Sequence, residues 1–149
     1  MSWIRRFAVL AVVGCMLALL SSTALAGSAE RTLVSKINAV RAANGLQALK
    51  SSSSLNHSSR SYVRMMLARR YFGHLSQIRV GSRFDRRGEV LAQTRGRAPR
   101  PGSAVRQWMA SPMHRAVLLD GAFRYIGVGR AYGSFGGGAA TGWVAQVGS

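Results

Sequence analysis

Leu33, Val34, Ile37 and Val40 recur at the spacing that lines one face of a helix, while Lys36 and Arg41 fall off that face. Asn44-Gly45 follows as a stop signal, so a first helix is predicted over 30–43. Leu46 and Leu49 punctuate the connection, and Ser51 to Ser54 offer several N-caps for a second helix. That helix carries Leu55, Tyr62 and Met66 on one face and Arg60, Arg64 and Arg69 on others. Gly73 is read as its end, with His74 just beyond.

From Leu75 to Pro101 the periodicity dissolves. Arginines 79, 83, 86, 87, 95, 97 and 100 are interleaved with glycine, and only Val90-Leu91 reads as buried. The segment is therefore expected to be a long irregular loop, a class that is usually functional or disordered. Pro101-Gly102-Ser103 opens a third helix through Val105, Trp108 and Met109. Ser111-Pro112 then supplies an N-cap and a first-turn proline for a short fourth helix, Met113 to Leu119. The tail alternates like a strand over Tyr125 to Tyr132. Trp143 to Val147 is a returning partner, and Ser134 to Gly142 is expected to be a flexible connection too long for a tight hairpin. Helices first and an antiparallel pair last indicate one α+β domain over 27–149.

The first 26 residues read differently. Arg5-Arg6, an apolar run from Phe7 to Leu20 and a closing Ala24-Leu25-Ala26 have the order of a secretory signal peptide, 1–26. The run is shorter than the roughly 20 residues needed to cross a bilayer, so no transmembrane segment is expected. Val12-Val13-Gly14-Cys15 offers a lipid-anchored alternative, but the apolar run continues past Cys15 to a clean cleavage site. The expectation is a secreted monomer, extracellular or periplasmic. Because Cys15 is the only cysteine, the mature domain must be held by its core alone.

Charge narrows the partners. Twenty-one basic residues face four acids, Glu30, Asp85, Glu89 and Asp120, for a net charge of +17. Lys36 and Lys50 are the only lysines. Such a balance favours anionic lipid or a cell-wall polymer as partner, by charge rather than by specific nucleic-acid recognition. Biased arginine coding explains the arginine preference equally well, but the scarcity of acids less well.

Candidate chemistry concentrates on His74, Glu89 and His114. Two imidazoles and a carboxylate make a three-ligand set for a divalent metal such as zinc, with Glu89 the candidate base. In the purely structural alternative, His114 hydrogen-bonds Glu89 and ties the loop to the sheet. His57 has no motif around it and is expected to be solvated, Trp108 and Trp143 are expected to pack, and Gly136-Gly137-Gly138 lacks the context of a phosphate loop. No G-x-S-x-G elbow occurs, which argues against a serine hydrolase.

Five segments in order carry a family resemblance. They are Tyr71-Phe72-Gly73-His74, Gly88-Glu89, Trp108-Met109-x-Ser111-Pro112-x-His114-Arg115, Ile126-Gly127-Val128-Gly129 and Trp143-Val144-x-Gln146-Val147. Over residues 31–148 the chain resembles bacterial SCP-like domains of the CAP superfamily, which takes its name from cysteine-rich secretory proteins, antigen 5 and pathogenesis-related proteins. The resemblance implies an α-β-α sandwich, with a central antiparallel sheet between helical layers and a cleft lined by two histidines and two glutamates. The histidines fall on His74 and His114 and one glutamate on Glu89. The second has no counterpart in Met109 to Met113, and Val90 stands where the family usually has asparagine. A triad amid arginines holds a cation less well than a tetrad. The first expectation is a binding module for an anionic or amphipathic cell-envelope ligand that requires no cofactor; the second is a metal-assisted hydrolase using the same cleft.

Overall fold

The structure, a computed structural model, describes residues 27–75 and 83–149. Residues 1–26, read from sequence as a signal peptide, lie outside the described residues, as do Cys15 within them and Arg79. Helix α1 occupies 27–43 and buries Leu33 and Ile37, as the periodicity predicts. Its end is a Schellman turn: Gly45 sits at φ 71°, its N–H bonds Ala42 O, and Leu46 N–H bonds Arg41 O. Arg41, expected off the apolar face, is instead fully buried. It stays there because its guanidinium donates to the carbonyls of Gln47, Leu118 and Asp120, which fixes α1 to the segment 118–120. Burial, then the neighbouring Arg124, pulls its pKa down, and Asp120 opposes them.

A short strand β1 (Lys50–Ser51) leads into α2 (Ser53–Ala68), capped by Ser52, whose side chain accepts from Leu55 N–H. Helix α2 ends earlier than Gly73. Arg70 adopts φ 49°, with Arg70 N–H bonded to Leu67 O and Tyr71 N–H to Met66 O. This is the same terminating geometry as in α1, formed without glycine and therefore hidden from sequence reading. Then come β2 (Arg87–Arg95), α3 (Pro101–Ala110), α4 (Pro112–Leu118, N-capped by Ser111), β3 (Tyr125–Ser134) and β4 (Ala139–Gly148).

Two expectations are corrected here. The supposed loop contains β2, a nine-residue strand paired antiparallel to β4. Most of β2 is buried on both faces, so Val90-Leu91-Ala92 shows no apolar-polar alternation. The Ser134 to Gly142 connection is also mostly strand: β3 and β4 pair out to Ser134 and Ala139, leaving only residues 135–138 between them. Gly142 lies in the sheet, while Gly136-Gly137-Gly138 remain in the short turn.

The sheet order is β1-β3-β4-β2, antiparallel except for the parallel β1–β3 pair. Helices α1, α3 and α4 cover one face, where Leu33, Ile37, Trp108 and Leu118 meet Val90, Val128, Trp143 and Ala145. Helix α2 covers the other through Tyr62, Val63 and Met66 against Leu91 and Val144. The result is the expected α-β-α sandwich, with Trp108 and Trp143 both fully buried in its core.

Helix α2 lies unusually close to β3. A Cβ built on Gly127 would stand 2.0 Å from the carbonyl carbon of Leu55, and one on Gly129 would stand 2.4 Å from Arg60 N. Those positions accept no side chain. The helix backbone rests on the sheet backbone there, with Ser59 Oγ donating to Gly127 O and Asn56 Oδ1 accepting from Val128 N–H.

Candidate functional site

Strand β2 is an edge strand, and its third residue is Glu89. Alternation along β2 turns Glu89 toward the α2 side, together with Leu91. In the adjacent strand Gln146 is its register partner. His74 arrives from the segment after α2. His114 comes from the first turn of α4, in the opposite helical layer. Only at a sheet edge can side chains from both layers meet.

They do meet. His74 Nδ1 lies 2.9 Å from Glu89 Oε1, and Gln146 Nε2 donates to Glu89 Oε2 at 2.8 Å. The His74 and His114 rings are 6.2 Å apart between centroids. The Glu89 side chain is only 5% exposed whereas His74 is 50% exposed, so a buried carboxylate underlies an accessible imidazole. The structure brings His74 onto Glu89 and sets the His114 ring beside that of His74. The structural alternative had the wrong partner: His74, not His114, bonds Glu89. A chain turning at Arg70 delivers His74 directly above β2, while His114 approaches from behind the edge.

Two further residues shape the site and were not singled out from sequence. Gln146 is buried and closes the second oxygen of Glu89. Its signal was its place in the closing Trp143–Val147 segment. Tyr62 donates to Gly73 O, fixing the segment that presents His74. Burial, reinforced by the nearby Glu89 charge, pushes the Tyr62 phenol up to about 12. Burial and then the neighbouring His74 lower the pKa of His114, which favours its neutral form. Tyr71 Oη donates to His74 O, further fixing the backbone. His57 is exposed on α2, as expected.

Among the described residues, no three His, Cys, Asp or Glu side chains stand together as a metal-holding group. Glu89 is bonded through both oxygens, to His74 and to Gln146, and in this arrangement it orients His74. A cavity of about 270 Å³ lies elsewhere, lined by Glu30, Arg31, Asn56 and Arg60 among others, and includes none of the triad.

Two helical layers around a largely antiparallel sheet, with a histidine-glutamate set spanning them at the sheet edge, define the structural class. The family described as the cysteine-rich secretory protein family, CAP, matches residues 34–147, and the chain belongs to it. YkwD of Bacillus subtilis (strain 168) is 33% identical over 110 residues, covering 67% of this chain and 41% of that protein. The chain thus spans less than half of that relative's length. An outer surface protein of Borrelia burgdorferi superposes with a TM-score of 0.70 at 19% identity, over 82% of this chain and 92% of that one. An extracellular protein containing an SCP domain from Bacillus anthracis str. Ames gives 0.67 at 20% identity, over 83% and 41%. At these identities the two structures speak for the fold. No described helix is long and apolar enough to cross a membrane.

Proposed function

We propose that the chain is a secreted binding module that acts at or outside the cell envelope. Its cleft at the edge of β2 holds an amphipathic molecule with an anionic head. The observation that carries this reading is the placement of Glu89: nearly buried and bonded through both oxygens, the acid holds His74 in place and leaves the imidazole as the exposed group. The accessible chemistry is then imidazole, flanked by apolar surface. Of the four large apolar side chains exposed among the described residues, Tyr71 and Leu75 bracket His74 in sequence and Met113 precedes His114. Arg115 follows His114 and is exposed. Apolar groups for a chain and cationic or hydrogen-bonding groups for a head suit an amphiphile.

The test is titration of lysophosphatidylglycerol, below its micelle concentration, into the purified domain by calorimetry. Weakening of about tenfold in His74→Ala and in Met113→Ser supports the reading. Unchanged affinity in both, or no saturable binding, overturns it.

A second reading, a metal-assisted hydrolase, draws on the facing histidines and on the Nδ1–Glu89 bond, which leaves His74 Nε2 turned away from the acid. Elemental analysis of protein purified without affinity metals decides it. Stoichiometric zinc that vanishes in His74→Ala and His114→Ala favours this alternative.

A further inference from the structure

The cavity that shares nothing with the histidine site lies at the other edge of the sheet. Strand β1 pairs with β3 only at Tyr125 and Ile126, so from Val128 onward the outer edge of β3 has no strand beside it. Helices α1 and α2, in opposite layers, flank that edge. Helix α1 turns Gly27, Glu30, Arg31 and Val34 toward it, the spacing of one helical face, and α2 turns Asn56 and Arg60, one turn apart. With Ser51 and Val128 they surround about 270 Å³. Ligand pockets usually hold roughly 300–1,000 Å³, so this one suits a small group or the end of a longer one.

The walls are fixed, and they carry spare donors. Asn56 is tied at both ends: its Nδ2 donates to Ser51 Oγ at 3.0 Å, and its Oδ1 accepts from Val128 N–H at 2.9 Å. Arg60 donates to Glu30 through Nε and Nη2, a fork that links the two layers across the edge and leaves Nη1 over. Arg31 is exposed, and none of the described ion pairs includes it. The lining therefore has two guanidiniums against one carboxylate, an excess of one positive charge. Glu30 keeps some accepting capacity, because a carboxylate offers about four lone-pair sites. Val34 and Val128 supply an apolar wall.

We propose that this cavity captures the C-terminus of a peptide whose last residue is small and aliphatic. The terminal carboxylate accepts from Arg31 and from Arg60 Nη1. The N–H of the same residue donates to Glu30, and its side chain lies against Val34 and Val128. Guanidinium donors match a carboxylate in geometry as well as charge. The charge excess selects the occupant: a peptide terminus brings one negative charge and neutralises the lining, whereas a free amino acid is a zwitterion and leaves the excess in place. Three different contacts around one α-carbon also make the site specific for the L configuration.

The test is an NMR titration of the isotope-labelled protein with the peptide acetyl-Ala-Ala. Saturable shifts are expected at the backbone N–H groups of Arg31, Val34, Asn56 and Val128. The C-terminal amide of the same peptide, free alanine, and acetyl-D-Ala-D-Ala should each bind at least about tenfold more weakly, as expected when a charge-assisted contact is lost or misplaced. Arg31→Gln alters an exposed side chain and so keeps the fold. It should weaken acetyl-Ala-Ala by about tenfold and narrow the gap between acid and amide. Arg95→Gln, on the edge strand at the far side of the sheet, should stay within about threefold. Acid and amide binding alike, a preference for free alanine or for the D enantiomer, equal losses in the two arginine variants, or no saturable shift would each overturn the proposal. The cavity and the histidine cleft have no residue in common, so this proposal and the cleft reading fail separately.

Discussion

The two faces of the sheet are built on opposite principles. Toward α1, α3 and α4 the sheet presents Ile126, Val128, Trp143 and Val147, and space is filled by large side chains. Toward α2, strand β3 presents Gly127 and Gly129, and space is removed by bringing two backbones together. The filled face derives its stability from apolar area and adjusts by moving side chains. Under the first half of α2, Gly127 and Gly129 offer no side chains to move, so the position of the helix there is fixed by backbone contact. That position sets where Arg70 turns the chain, and hence where His74 meets Glu89. The less apolar face is the one that governs the candidate site.

The sharpest way to break this comparison is a pair of substitutions. Trp108→Ala empties the filled face and is expected to cost about 3–5 kcal/mol in chemical denaturation, yet to leave the His74–Glu89 contact in place. Gly129→Ala adds only a methyl, but that methyl meets the α2 backbone, and about 3 kcal/mol is expected. It should also displace His74, seen as a changed imidazole resonance by NMR. If Trp108→Ala perturbs His74 as strongly as Gly129→Ala does, the two faces are not distinct in the way described.

A smaller effect isolates the glutamate clamp. Gln146→Ala removes the donor on one oxygen of a buried carboxylate, and about 1–3 kcal/mol is expected by urea unfolding. The loss should shrink when Glu89 is already Gln, because the buried charge is then gone. Independent, additive effects would argue against a shared clamp.

The smallest effects are pH limbs that report the two sides of the site. Tyr62, raised, keeps its proton in the native state to higher pH than in the unfolded chain. Its contribution is complete below the ordinary value of 10.0 and is lost as pH rises toward about 12. His114, lowered, contributes fully above the ordinary 6.5, and that contribution is lost as pH falls through its folded value. Unfolding across pH should therefore show an alkaline limb that Tyr62→Phe flattens and an acid limb that His114→Ala flattens. By NMR, His74→Ala should move the His114 pKa upward, because burial then acts without the neighbouring His74.

Local chemistry made much of this domain readable from its residues. Helical spacing of Leu33 and Ile37, the Asn44-Gly45 stop and the Ser111-Pro112 start each encode structure within a few neighbouring residues, so pattern alone recovers them. The five ordered segments carried the family and, with it, the meeting of His74, Glu89 and His114. Other features depended on what packs against what. Strand β2 was hidden because burial on both faces erases alternation, and the early end of α2 was hidden because Arg70 takes a glycine's conformation. The burial of Arg41 rests on carbonyls of Leu118 and Asp120, far away in sequence. The choice of His74 over His114 as the partner of Glu89, and of Gln146 as the second, is likewise tertiary. It follows from an edge strand reached from both layers, a relation between distant segments that no local pattern encodes.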